Sequence, residues 1–178
     1  RIHELFNRID SWNGIVIGAV EGICFGGGLE LALTCDLLVA DPTARFAFPE
    51  LRLGLIPGFG GIPRLKRDLG HAATRDLILT GRSMSAQRAH TLGLVSQLAG
   101  RGKALKIARG LARHTSRFDA ATVADAKSFT KEIPYEELER EKALFLEMFQ
   151  RPRVREALQS FCQRSDQLLR TLSDELLT

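Results

Sequence analysis

The chain has 178 residues, of which 44% are hydrophobic and 26% charged, so it is long enough for a sizeable core and its composition argues against disorder. A net charge of +4 without zinc-finger spacing, RNA-binding aromatic motif or basic arm gives no reason to expect a nucleic-acid partner. No apolar run approaches the ~20 residues of a membrane span, and none resembles a signal peptide. The cysteines fit no CxxC or Cys/His pattern, which argues against disulfides and zinc and fits a reducing compartment; they are Cys24, Cys35 and Cys162.

The chain opens with a predicted amphipathic helix and a predicted buried strand. Apolar residues recur at helical spacing over residues 2–11. An apolar, β-branched run over residues 15–20 lies between chain breakers, which is typical of a buried strand. Because the sequence begins with Arg1 and enters a helical pattern at once, we expect it to be part of a longer one.

Three consecutive glycines, Gly26 to Gly28, follow this strand and lead into a predicted helix over residues 29–35. The helix is apolar nearly all round except for Glu30, so we expect it to be buried. Short apolar runs predict strands over residues 37–40 and 45–48. Pro49 and Glu50 then lead to a second glycine cluster at residues 58–61.

Helices are next predicted over residues 62–69 and 72–80, with Gly81 as a C-terminal cap, and over 86–92, with Ser85 as the N-cap. Residues 94–98 predict the last strand. Beyond residue 102 only helical patterns remain; they cover 103–115, 119–131, 135–149 and 152–172. Short strands alternating with helices predict an α/β layer structure for residues 1–102, followed by an all-helical extension over 103–178.

A strand, a glycine turn and a helix form a general anion-binding geometry, because the first N–H groups of a helix lack intrahelical partners. A phosphate-binding loop would need a lysine at this turn and a nucleophile elbow a serine, and neither is present. The glycine spacing disfavours a dinucleotide site, although Asp41 lies at about a suitable distance for one. An oxyanion hole, in which the Gly27 N–H binds a developing negative charge, fits best.

Two glutamates twenty positions apart, Glu30 and Glu50, lie in unlike surroundings. Glu30 would lie in the first turn of its helix, where the dipole stabilises a carboxylate and suits a general base, although it could equally do no more than offset the dipole. Glu50 follows Phe46, Phe48 and Pro49; an apolar setting raises a carboxyl pKa and favours the acid form, although an exposed position after the strand is an equal alternative. Two carboxylates in unlike surroundings divide into a base and an acid.

Two blocks of sequence combine these features. The first is the GGGLELA run at residues 26–32 with Cys35-Asp36, and the second runs from Phe48-Pro49-Glu50 through the IPGFGG run at 56–61 to Arg64-Leu65. Together they resemble the crotonase (enoyl-CoA hydratase/isomerase) superfamily, strongly over residues 1–100 and weakly over the helical tail. The resemblance implies a ββα spiral core, truncated here at its N-terminus, and a helical extension that mediates trimerisation and covers CoA.

By this resemblance, the protein adds water across the 2,3 double bond of a 2-enoyl-CoA. The resemblance implies that the Gly27 N–H binds the thioester oxygen, that Glu30 activates the water and that Glu50 protonates the α-carbon. It implies further substrate-binding positions at Gly26, Gly28, Pro49, Gly58, Phe161 and Arg164. It implies no metal or redox cofactor beyond the CoA of the substrate, and no membrane. The implied partners are an acyl-CoA thioester and copies of the same chain, which form a trimer or a pair of trimers. The expected location is the cytoplasm, or the mitochondrial matrix in a eukaryote.

Two departures leave other functions open. Nothing in residues 1–14 matches the upstream loop that carries the family's second oxyanion donor, so a partner subunit without activity is one alternative. Isomerisation, decarboxylation or thioester hydrolysis of another acyl-CoA is a second. A non-catalytic or RNA-binding member is a third, because basic residues recur at helical spacing, although such a face is usually only solvated; they are Lys103, Lys106, Arg109 and Arg113.

Overall fold

The computed structural model describes residues 1–163, in which short strands alternate with helices before an all-helical portion. The strands are β1 (Ile17–Val20), β2 (Ile23–Phe25), β3 (Leu37–Ala40), β4 (Arg45–Ala47), β5 (Met84–Ser85) and β6 (Gln97–Leu98). The helices are α1 (Ile2–Asp10), α2 (Gly27–Ala32), α3 (Gly61–Thr80), α4 (Ala86–Thr91), α5 (Ala104–Thr115), α6 (Ala120–Thr130) and α7 (Tyr135–Phe149), with a 3-10 turn at Glu50–Leu53. Residues 152–163 are also helical.

The strands form two small sheets, and the chain passes from one to the other as it advances. The first sheet has the order β1-β3-β6 and is parallel, with Val20 paired to Ala40. The second has the order β2-β4-β5, in which β2 and β4 are parallel and β4 and β5 antiparallel. Two successive strands, one in each sheet, precede α2, and two more precede α3. This arrangement is the predicted ββα core.

A buried core lies between the sheets and the helices α2, α3 and α4. Its largest members are almost fully inaccessible to solvent: Leu29, Leu33, Phe46, Phe48, Leu65 and Val95. Each such side chain contributes about 1.5–3 kcal/mol relative to an exposed one. The core therefore fixes the two elements that carry the glycine clusters, the start of α2 and the start of α3.

The structure confirms most predicted elements and corrects three. Strands β2 and β5 have three and two residues and were not predicted, because so short a strand is defined by its neighbours in the sheet more than by its own pattern. The strand predicted at 94–98 is shortened to Gln97–Leu98, since the amides of Leu94 and Val95 bond to Ala89 at the end of α4. The two helices predicted at 62–69 and 72–80 are confirmed, because α3 consists of two helical segments that meet at non-helical backbone at Gly70.

The helical extension packs directly on the core. Ala104 and Ala108 of α5 are buried against Val39 of β3 and Ala99. Helix α7 buries Leu138 and Glu141 and lies over the start of α3. The boundary predicted at residue 102 remains a prediction. Within residues 1–163, no helix is long and apolar enough to cross a membrane.

Buried ion pairs join three helices of this structure. The ion-pair cluster, as we name it, consists of Asp10, Asp36, Arg64, Arg67 and Lys131. Arg64 Nε lies 2.6 Å from Asp10 Oδ2, and both side chains are fully buried. Lys131 Nζ lies 2.8 Å from a carboxylate oxygen of both Asp10 and Asp36. The cluster thus ties α1 and α3 to the end of α6.

Candidate active site

The first glycine cluster brings Glu50 against the start of α2. Gly26 has a φ of 52° and donates its N–H to the carbonyl of Ala47 at 2.9 Å. A Cβ at this position would lie 2.7 Å from Glu50 Oε1. The positive φ requires glycine here, and a side chain at this position would displace the Glu50 carboxylate. The absence of a side chain at Gly26 therefore lets the Glu50 carboxylate approach the turn.

Glu30 is held by the second glycine cluster. Its side chain is buried, and its Oε1 accepts the N–H of Phe59 at 2.7 Å and the N–H of Gly61 at 3.0 Å. These donors lie 29 and 31 residues away along the chain. The two glycine clusters that the sequence singled out therefore meet at one carboxylate, and Glu50 lies next to Gly26 of the first cluster.

Burial opposes the stabilisation of ionised Glu30 that was expected from the helix dipole. Burial raises the pKa of Glu30 to about 8, and the negative charges of Glu141 and Glu50 add to the rise, while the N–H groups of Phe59 and Gly61 oppose it. Glu30 is only 2% exposed, and desolvation is the largest influence on its pKa. Glu30 is therefore a carboxyl group that can exchange a proton close to neutral pH.

Glu50 lies in the 3-10 turn that follows β4, with Pro49 as its N-cap. Its side chain turns inward, and burial raises its pKa as the apolar setting predicted. Among residues 1–163, Oε2 of Glu50 has no hydrogen-bond partner although it is buried. An unpartnered buried carboxyl oxygen favours the protonated form and is rare in a merely structural site.

A third carboxylate, Glu141 of α7, reaches the same loop and was not predicted. It is 5% exposed, and its two oxygens accept the N–H of Gly60 at 2.6 Å and of Ile62 at 2.8 Å. Burial raises the pKa of Glu141 to about 7, against the opposing effect of these amides and of Arg64. A signal was present in the sequence, because Leu138, Glu141 and Phe145 share one helical face and the acid interrupts an apolar stripe.

The second glycine cluster also admits neighbouring side chains very closely. A Cβ at Gly58 would overlap the ring of Phe145, and one at Gly60 would overlap Arg64 and Leu138. Between these glycines, the ring of Phe59 contacts Phe145 at a centroid distance of 5.9 Å, and it contacts His3 and Phe6 of α1 edge-on. The loop is therefore enclosed by α1, α3 and α7.

The other predicted site residues have mixed outcomes. Gly27 and Gly28 open α2, so their amides have no intrahelical acceptor, and a Cβ at Gly28 would meet open space. Phe161 is half exposed within residues 152–163, and none of the described contacts around the glutamates involves it. Arg164 lies outside the described residues. The ligand-binding roles of these residues and of Gly26, Pro49 and Gly58 remain predictions.

A cavity of about 630 Å³ lies elsewhere, between α6 and the region where α2 leads into β3. Its apolar lining includes Leu33 and Phe118, and its charged groups already bond to one another. Lys127, for example, donates to Asp36, and Lys131 donates to Asp36 and to the carbonyl of Thr34. Because these polar groups are satisfied, the chemistry of the molecule points to the glutamates and not to this cavity.

Comparison with known proteins shows which family the chain belongs to. The family model for enoyl-CoA hydratase/isomerase matches residues 1–168, so the chain belongs to that family. This finding confirms the resemblance to the crotonase superfamily. The chain is 41% identical over 150 residues to a probable enoyl-CoA hydratase of Rhizobium meliloti. The aligned region covers 82% of this chain and 58% of the relative. It is 40% identical over 124 residues to the 2,3-dehydroadipyl-CoA hydratase of Escherichia coli, covering 70% of this chain and 49% of the relative.

Solved structures share the fold. A carnitinyl-CoA hydratase from Mycobacterium avium superposes with a TM-score of 0.79 at 31% identity, over 85% of this chain and 61% of that one. An enoyl-CoA hydratase/isomerase from Pseudoalteromonas atlantica superposes with a TM-score of 0.80 at 26% identity, over 89% and 66%. The chain thus spans about half to two thirds of the length of these proteins.

Proposed function

We propose that the protein to which this chain belongs adds water across the 2,3 double bond of a 2-enoyl-CoA, or catalyses the reverse dehydration. One observation carries the proposal. Two carboxyl groups with raised pKa, Glu30 and Glu50, lie close to a glycine turn whose first helical amides have no intrahelical acceptor. Family membership supports an acyl-CoA substrate, and two relatives are described as hydratases.

The glycine turn would bind the thioester carbonyl. Negative charge develops on that oxygen when water adds at C3, and a backbone N–H aimed at it is worth about 3–4 kcal/mol in a preorganised site. The Gly27 N–H is the proposed donor, at the positive end of α2. The second donor belongs to the upstream part of the family fold, which residues 1–14 do not match.

The two glutamates would divide the proton transfers. Glu30 takes a proton from water, because the N–H groups of Phe59 and Gly61 stabilise its ionised form. The water oxygen bonds to C3, the double-bond electrons move onto the thioester as an enolate, and protonated Glu50 delivers its proton to C2. The reaction leaves the proton on Glu30 and the charge on Glu50, and exchange with solvent resets the pair. Two neighbouring carboxyl groups that share one proton suit this cycle, since like charges at close range resist ionising together.

The finer features of the proposal follow from the family resemblance. They are the absence of a metal or redox cofactor, assembly of the chain into a trimer or a pair of trimers, and a cytoplasmic location. The exposed residues Lys103, Lys106, Arg109 and Arg113 on α5 give the RNA-binding alternative no support beyond an ordinary solvated face.

The test is product analysis with the full-length protein over a panel of 2-enoyl-CoA esters in ¹⁸O-labelled water. Hydration places the label on the β-carbon of the product. Movement of the double bond without labelling would replace hydration by isomerisation, and release of free CoA would indicate thioester hydrolysis. Salt-sensitive RNA binding without any acyl-CoA reaction would favour the non-catalytic alternative.

A further inference from the structure

Four consecutive backbone amides divide their hydrogen bonds between two carboxylates. The N–H groups of Phe59 and Gly61 donate to Glu30, at 2.7 and 3.0 Å. The N–H groups of Gly60 and Ile62 donate to Glu141, at 2.6 and 2.8 Å. Glu30 comes from α2 in the core, and Glu141 comes from α7 in the helical extension. The loop at residues 59–62 is therefore bound by two carboxylates that lie more than one hundred residues apart in the chain.

The two sets of bonds are mechanically coupled. Each residue whose amide bonds Glu141 is adjacent in the chain to one whose amide bonds Glu30. A backbone rotation that breaks the bonds to Glu141 therefore also reorients the amides that bond Glu30. Gly60 has a φ of 100°, a conformation that glycine adopts readily and other residues rarely do. Leu138 of α7 packs closely against Gly60, and Arg64 Nη1 donates to the carbonyl of Phe59 at 3.0 Å. Glu141 therefore acts within an enclosed loop that has little freedom to adjust.

Capping alone does not account for Glu141. The first amides of a helix can be satisfied by water or by a local side chain such as the serine that caps α4. Here the amides of Gly60 and Ile62 are satisfied by Glu141, a buried acid with a raised pKa. Burying a carboxyl group in an otherwise apolar helix face costs free energy. Glu141 differs from a local cap because each of its two oxygens accepts one amide. It thereby fixes the distance between the amides of Gly60 and Ile62.

We propose that Glu141 is a positioning residue that fixes the loop at residues 59–62 so that the amides of Phe59 and Gly61 hold Glu30 in its working geometry. The kinetic consequence rests on the proposed function, whereas the structural one does not. The helical extension would thereby take part in the active site of its own chain.

Amide hydrogen exchange, resolved to single residues in the full-length protein, tests the structural part. In Glu141→Gln the new amide group can accept only one of the two N–H groups and points a donor at the other. We expect the amides of Phe59 and Gly61, which do not touch residue 141, to exchange about tenfold faster or more. Protection at Phe59 and Gly61 as in the wild type, with faster exchange only at Gly60 and Ile62, would overturn the proposal.

The matched control is Glu139→Gln, the same change on the same helix at an exposed side chain whose one ionic partner within residues 1–163 is Lys142. It should leave all four amides unchanged, and equal effects of the two variants would refute a specific role for Glu141. If Glu141→Gln does not fold, Glu141→Asp carries the same test, because it keeps the charge but is one methylene too short to hold both amides.

Kinetics separate positioning from a purely electrostatic effect. We expect Glu141→Gln to lower kcat about 10–100-fold with KM changed less than about threefold. The N–H of Phe59 lowers the pKa of Glu30 more than the charge of Glu141 raises it. Loss of that bond therefore moves the acidic limb of the kcat profile to higher pH, whereas removal of a charge alone would move it to lower pH and would contradict positioning. A wild-type protein that hydrates no enoyl-CoA would refute the proposed function, and the exchange experiment would still decide the structural part.

Discussion

Two buried groups of charged side chains lie next to each other in this molecule and behave in opposite ways. In the ion-pair cluster, burial would raise the pKa of Asp10, but Arg67, Lys131 and Arg64 together hold it below its usual value. In the carboxylate cluster, which we define as Glu30, Glu50 and Glu141, burial prevails and all three pKa values are raised.

The difference lies in the partners and not in the depth of burial. Asp10 and Glu30 are 1% and 2% exposed, yet Asp10 contacts cations and Glu30 is held by neutral amides. An ion-paired carboxylate such as Asp10 joins structural elements, whereas carboxyl groups bonded to neutral amides can stay protonated and take part in proton transfer. Arg64 joins the two clusters, because it binds both Asp10 and the carbonyl of Phe59. A rigid ionic frame therefore adjoins a site whose carboxyl groups keep their protons to a higher pH than usual.

The sharpest way to separate the clusters is to neutralise the proposed catalytic pair. We expect Glu30→Gln and Glu50→Gln each to lower the turnover of 2-enoyl-CoA hydration by about 10²–10⁴-fold, because each removes one proton-transfer group. Neither should reduce the free energy of unfolding, since both replace a carboxyl group that burial already disfavours as an ion. Steady-state kinetics tests the expected loss of turnover, and urea unfolding tests the expected free energy of unfolding. Normal hydration by both variants would refute the two-carboxylate mechanism.

Asp10→Asn should show the converse behaviour. The change leaves Arg64 buried without its counter-ion, so we expect the free energy of unfolding to fall by about 3–5 kcal/mol. Turnover per folded molecule should fall much less than in Glu30→Gln. The control is Asp68→Asn, which removes another carboxylate partner of Arg67 at a more exposed position and should cost at most about 1 kcal/mol. Equal losses for the two variants, measured by urea unfolding, would show that burial of the pair contributes nothing.

The two clusters also predict opposite pH dependences of stability. Glu30 and Glu141 bind protons more tightly when folded than when unfolded, where their pKa is near 4.5, so stability should fall as pH rises from about 4.5 to about 8. The loss is at most about 1.4 kcal/mol per pH unit for each group. Asp10 has a lowered pKa, so its contribution is lost only as pH falls below about 3.8. Urea titrations between about pH 5 and about pH 8 should show a negative slope that is smaller in Glu141→Gln. A slope that this variant leaves unchanged would contradict the assignment.

Sequence reasoning located the parts of the site whose signals are local. Glu30 stands out as an acid in an apolar helix after three glycines, and Glu50 follows an apolar strand. Gly58 to Gly61 are recognisable because backbone that approaches a neighbour closely needs glycine. Each of these signals is contained within a few neighbouring residues, as are the boundaries of most helices and of β3.

The relations between distant segments were not predictable in the same way. The bonds from Gly60 and Ile62 to Glu141 span 81 and 79 residues and exist only because α7 packs over α3. The direction of the Glu30 pKa depends likewise on burial and on two other carboxylates, and not on the helix in which it lies. Strand β5, with two residues, forms only where Met84 and Ser85 meet β4.

The smallest expected effect concerns Glu137, which lies one turn before Glu141 on α7 and pairs with Lys66 of α3. Both glutamates join the same two helices, but the Glu137 side chain is 44% exposed and that of its partner Lys66 is 28% exposed. We expect Glu137→Gln to change the free energy of unfolding by less than about 1 kcal/mol and to leave turnover and the exchange of the Phe59 and Gly61 amides unchanged. Glu141→Gln should alter both turnover and exchange. If Glu137→Gln reproduced the effects of Glu141→Gln, any loosening of the contact between α7 and α3 would suffice, and the contrast between buried and exposed carboxylates would not explain how this site is held.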